Sequence, residues 1–216
     1  MQIFDLEQLR EIERRNDARL IFHGTSSCFS KQIEDQGWPM SWRPYKWDEV
    51  EFLLNLGEEL AVGHPASIYL EVNHMAQCEK VDEGPYFTYL LEGAVQYAEY
   101  TGGETIRCAF ERAKFLLGHL SRVRTDRVDE VEKRLRSLME RWSDMITTSS
   151  PVVYLIEGNE RTFPQLLPQQ IQAFEWQIRE WGEVTAKDGN FRSRADIPAE
   201  DIVGKAVLPL PGSVNR

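Results

Sequence analysis

The sequence predicts an α+β fold. Strands form the core, helices pack outside them, and a long helical region forms an added lobe. Three stretches carry this expectation. Pro151–Glu157 (PVVYLIE) is an apolar, β-branched run of strand length. Leu20–Phe22 is a shorter apolar run that suits a buried strand, ending in His23, Gly24 and a row of hydroxyls. Glu104–Met145 carries Phe110, Phe115, Leu116, Val128, Val131, Leu135, Leu138 and Trp142 among alternating charges, a helical pattern.

The remaining elements follow in chain order. Phe4–Asn16 reads as a helix, with Leu6, Leu9 and Ile12 on one face. After the first strand, Ser30–Gly37 reads as a short helix closed by Gly37. Trp38–Trp47 holds three tryptophans, a tyrosine and two prolines with little periodicity. It reads as a packed loop, the alternative being an aromatic binding surface. Asp48–Ala61 is helical, Ser67–Val72 a strand, Gly84–Thr88 a short aromatic strand end, and Leu90–Tyr100 a helix ended by Gly102-Gly103. Acid/base pairs at helical spacing across Asp126–Asp144 predict a solvated, ion-paired face. Gln165–Trp181 has helical spacing disturbed by Pro168. Gly182–Lys187 and Asn190–Arg194 are strand candidates around an Asp188-Gly189 turn. Ile197–Ile202 is a helical turn and Gly204–Leu210 a last strand.

Bulk composition narrows the function classes. The 216 residues suit one domain, 1–216, with 104–146 as a helical insertion, and 42% hydrophobic residues are enough for a real core. A net charge of -10 disfavours non-specific binding to a phosphate backbone. The three cysteines, Cys28, Cys78 and Cys108, follow no metal-ligand spacing, and their odd number argues against a disulfide framework. A cytoplasmic setting is expected, with no signal peptide and no membrane span.

The chemistry-bearing stretch is His23-Gly24-Thr25-Ser26. Gly24 would let backbone approach a ligand closely, beside the polar atoms of His23 and Thr25, as one wall of a nucleotide pocket. The plainer reading is a buried histidine before a turn.

In order along the chain, the motifs resemble the ADP-ribosyltransferase superfamily in its histidine–tyrosine branch, which includes poly(ADP-ribose) polymerases, diphtheria-like toxins and bacterial relatives. Phe22-His23-Gly24-Thr25-Ser26 with Ile33–Gly37 is similar to the family's opening. Gly84-Pro85-Tyr86-Phe87-Thr88 followed by Ala94-Val95-Gln96-Tyr97-Ala98 looks like its tyrosine strand and helix. Ile197-Pro198-Ala199-Glu200-Asp201-Ile202 looks like its closing segment. The likeness covers both ends of the chain and leaves out Glu104–Met145.

The resemblance implies a split-sheet fold around an NAD cleft and transfer of ADP-ribose from NAD to an acceptor, with release of nicotinamide. The acceptor, whether protein, nucleic acid or small molecule, is left open. It implies that the Gly24 backbone holds the nicotinamide amide and that His23 hydrogen-bonds a ribose hydroxyl. Tyr86 and Tyr97 would sandwich the nicotinamide ring, with Thr25, Phe87 and Thr88 lining the site. Members usually add a glutamate before the closing segment. Here the spacing lands near Asn190, which is not acidic, so Glu183, Asp188 and Asn190 all stand as candidates for that slot. Two rival readings remain. One is an RNA 2'-phosphotransferase-like enzyme, which would need more arginines than Arg192 and Arg194. The other is an interaction module that keeps the fold without catalysis.

Overall fold

The computed structural model describes residues 1–15, 20–39, 42–43, 45–60, 86–124, 126–158, 190–192 and 196–210. These fall into two compact units. The first comprises Met1–Trp42, Asp82–Thr101 and Ser150–Arg216, and the second Arg43–Val81 and Gly102–Ser149. The helical region expected as an insertion therefore shares a unit with the segment that follows Trp42. The expected elements Ser67–Val72, Gln165–Trp181, Gly182–Lys187 and the Asp188-Gly189 turn lie outside the described residues.

The first unit is built on a sheet of β1 (Gln2–Ile3), β2 (Leu20–Ser26), β3 (Tyr86–Thr88), β4 (Pro151–Glu157), β5 (Asn190–Arg192) and β6 (Ile202–Val207). Their order is β1-β6-β4-β2-β3-β5, antiparallel except for the β1–β6 pair. The fold is thus α+β with a mixed sheet.

Among the described residues the strands make one sheet, where two were expected, but its join is narrow. β2 pairs with β4 at every position from Leu20↔Glu157 to Ser26↔Pro151. With β3 it pairs only at Phe22↔Thr88, while β3 is in register with β5 along its whole length. The ladder stops at that pair although β3 continues through Phe87 and Tyr86. The β3–β5 ribbon is therefore held to the main sheet by one Cα pair.

β4 is buried at Pro151 through Ile156, as a strand covered on both faces must be. Side chains alternate across a strand. Phe22 of β2, Val153 and Leu155 of β4, and Ala206 of β6 join Leu9, Leu91, Ala94 and Ala98 in one core. Those last four residues belong to helices α1 (Leu6–Arg14) and α4 (Leu91–Glu99). Ile21, His23 and Tyr154 therefore project to the opposite face, which α2 (Ser30–Gln36) covers through the Tyr154 hydroxyl.

Local chemistry sets these helix ends. Asp5 and Gln8 form a capping box that starts α1 at Leu6, two residues later than the hydrophobic pattern suggested. Gly37 closes α2 with φ +72°, and a side chain there would overlap the carbonyl oxygen of Ile197. At α4, a Glu13 carboxylate oxygen accepts the Leu91 N–H at 2.7 Å, placing negative charge at the positive end of the helix.

The second unit contains α3 (Trp47–Glu59), α5 (Glu104–Leu117) and α6 (Val128–Thr147). Val50, Leu53 and Leu56 of α3, Ile106, Ala109, Ala113 and Leu116 of α5, and Val131, Leu135, Leu138 and Trp142 of α6 are all buried. The α3 set recurs every three residues, and the α5 and α6 sets at alternating three- and four-residue spacing. The expected ion-paired face is present in Arg136–Glu132, at 2.6 Å. Arginines seven residues apart do something else: Arg127, Arg134 and Arg141 reach across to Glu59, Asp48 and Glu49 of α3. Arg112 is buried, its Nε donates to the Leu53 carbonyl at 3.0 Å, and burial lowers its pKa to about 10.

Candidate functional site

The strand that carries the first motif is longer than its apolar residues indicate. The sequence suggests a bend at His23 and Gly24. Instead the ladder with β4 continues through both to Ser26, with Gly24 opposite Val153. The glycine is needed for packing across the sheet face. A methyl group on Gly24 would overlap the carbonyl oxygen of Ala94 and lie 2.8 Å from the amide nitrogen of Ala98. Here the close approach that a missing Cβ permits is made by α4.

That contact brings the second motif's helix to the first motif's strand. Tyr97 precedes Ala98 and is 41% exposed. On the other side of Gly24, β2 runs past the end of its pairing with β3. Among the described residues, no strand pairs with His23–Ser26 on that edge. The strand edge beyond β3 and Gly24 thus belong to one stretch of β2, and the helix seated on that glycine carries Tyr97.

On the opposite face, His23 is half-buried in an aromatic cluster. Its ring centroid is 4.8 Å from Trp38, with the planes at 67°, and 5.2 Å from Phe87 at 46°. Trp38 meets Phe87 at 5.9 Å and Tyr154 at 5.3 Å, both close to perpendicular. Edge-to-face contacts of this kind are the favoured arrangement for aromatic rings. The Tyr154 hydroxyl donates to Glu34 Oε1 at 2.9 Å and lies 2.9 Å from Ser30 Oγ. Lys205 Nζ is 2.5 Å from the same Glu34 oxygen. Burial, reinforced by the Glu34 carboxylate, pushes the Tyr154 phenol well above its ordinary range.

The other sequence candidates divide. Phe87 is 1% exposed and packs on His23, so the first and second motifs meet directly. Thr25 is half-buried on β2 opposite Val152. Thr88 is buried, and its hydroxyl accepts the Leu90 N–H at 3.0 Å, bracing the turn into α4. The backbone of Tyr86 is in register with Arg192, and that of Asn190 with Thr88. Asn190 therefore stands two strands from Phe22, about 10 Å at the usual strand spacing. Glu183 and Asp188 lie outside the described residues. Two participants carry no functional signal in the sequence. Trp38 falls in a stretch that reads as a packed loop, and Tyr154 in a strand. Tyr154 stands out only as a phenol within an otherwise aliphatic run.

No helix among the described residues is long and apolar enough to cross a membrane. No family model, curated protein or solved structure matches the chain.

Proposed function

We propose that the chain binds NAD at the β2 edge and transfers its ADP-ribose to an acceptor, releasing nicotinamide. The observation that carries this reading is the contact of His23 with Phe87, which joins two motifs separated by more than sixty residues at the point where β2 and β3 part. Alongside them, Gly24 packs on the helix that bears Tyr97.

On this reading each group has a distinct task. The Gly24 backbone takes the carboxamide, Tyr97 and Tyr86 offer stacking surfaces for the nicotinamide ring, and His23 hydrogen-bonds a ribose hydroxyl. The bond from ribose C1′ to the nicotinamide nitrogen breaks, and its electron pair leaves with nicotinamide. The acceptor's nucleophilic atom bonds to C1′ and gives up its proton to a base. The sugar carries positive charge in between, which a fixed negative dipole or carboxylate stabilises. Glu183 is the candidate carboxylate. Asn190, on β5, can orient a hydroxyl but supplies no charge.

Calorimetry with NAD and with nicotinamide tests the binding step. Heat is expected from both, and is expected to vanish in Tyr97→Ala. Folded protein that gives heat with neither ligand would sink the reading. Transfer of label from NAD to lysate components is expected to fall in Glu183→Gln. NAD binding with no transfer by the wild type favours the module that binds without catalysis, in keeping with an asparagine at position 190.

A further inference from the structure

Three parts of the first unit converge on Trp38. Its main chain is fixed from both sides: the Trp38 N–H donates to the Ile197 carbonyl at 2.8 Å, and the Ile197 N–H donates to the Trp38 carbonyl at 3.0 Å. The preceding Gly37 fits only because it lacks a side chain against Ile197. The indole is 2% exposed and stands edge-on to His23, Phe87 and Tyr154. Tyr154 is itself anchored, through Glu34, to Lys205 on β6.

The result is a half-buried imidazole set against a buried indole, with Phe87 on another side. Rotation about the second side-chain torsion of histidine is broad when nothing packs on it. Packed this way, the ring has one tilt. Here the imidazole plane is set by its two aromatic neighbours, Trp38 and Phe87.

We propose that Trp38 is a positioning residue for His23, holding the imidazole at the tilt that meets a ribose hydroxyl of NAD. This rests on the NAD reading above. Held geometry of this kind matters because small misplacements of a binding group lower productive contact steeply.

The test uses the full chain with labelled histidine, the His23 signals being assigned by comparison with His23→Gln. One set of nuclear Overhauser contacts between imidazole and indole protons is expected, free and with NAD. NAD affinity is expected to fall about tenfold in Trp38→Leu and to stay near wild type in Trp38→Phe, which restores an aromatic wall. Absence of imidazole–indole contacts in the wild type overturns the proposal. So does folded Trp38→Leu with unchanged NAD affinity, and the function reading survives both results. A wild type that binds no NAD overturns the function reading, while the imidazole–indole contacts are still read independently. Should Trp38→Leu fail to fold, Trp38→Phe decides. Imidazole contacts to its phenyl with affinity near wild type support the proposal, and lost contacts with unchanged affinity overturn it.

Discussion

Gly24 and Ala94 touch backbone to backbone: no atom beyond hydrogen fits between the Gly24 α-carbon and the Ala94 carbonyl. The helix that follows the tyrosine strand is thereby seated directly on the strand of the histidine motif. Gly24→Ala must push α4 away from β2, and overpacking at such a contact costs about 3 kcal/mol. Urea unfolding should show that loss. Calorimetry on whatever fraction stays folded should show NAD binding lost as well, because Tyr97 moves with the helix.

Thr88 separates structural from ligand roles. Its hydroxyl accepts the Leu90 N–H from a buried position. Thr88→Val keeps the shape and leaves that donor unpaired, which costs about 1–2 kcal/mol. The expected outcome is a lower midpoint in denaturant with NAD affinity within about twofold of wild type at full occupancy of the folded state. A large affinity loss without a stability loss would place the hydroxyl on the ligand instead.

In the helical unit, the Glu49 side chain is 7% exposed and meets Arg141 at 2.5 Å, while Arg141 is 47% exposed. Removing the arginine strands a nearly buried carboxylate. Arg141→Met should destabilise by about 2 kcal/mol, less than a fully buried pair because solvent screens the exposed partner. Glu49→Gln combined with Arg141→Met should recover part of that loss. A double-mutant cycle on the unfolding free energies reads the coupling.

At alkaline pH two buried phenols act together. Burial pushes Tyr89 up to about 12, and Tyr154 is raised further by burial and by the Glu34 carboxylate. Above pH 10 the unfolded chain releases phenolic protons that the fold retains. Their contribution is therefore whole below pH 10 and lost as pH rises through the folded values, about 2–3 kcal/mol for Tyr89 alone. Arg112 has the opposite sign. Its folded value is lowered to about 10 by burial, so above that pH the unfolded chain holds a proton the fold has lost. Unfolding free energies of wild type and Tyr89→Phe between pH 9 and pH 12 isolate the phenol. The wild-type curve should fall more steeply.

Elements whose pattern is local were legible. β4 begins and ends at Pro151 and Glu157 as the apolar run does. Gly37 closes α2, and the helical region resolves into α5 and α6. Elements that exist only through a partner were not. β1 is two exposed residues that become a strand by lying parallel to β6. The second half of β2 is strand because β4 pairs with it, although a glycine and hydroxyls predict a bend.

The same division holds for the candidate site. The amino-acid sequence alone determined which chemical groups are available and in what order: an imidazole and a glycine ending an apolar run, tyrosines eleven residues apart, and an asparagine where the resemblance implies an acid. Only the tertiary structure decided what each group touches. Gly24 proved to be a seat for α4, the Thr88 hydroxyl a brace for the turn before it, and Trp38 a wall for His23. The reason is physical. Backbone preference and hydrophobic period are properties of neighbouring residues, whereas a ring contact between positions 23 and 38, or an overlap between 24 and 94, depends on how strands register and helices pack.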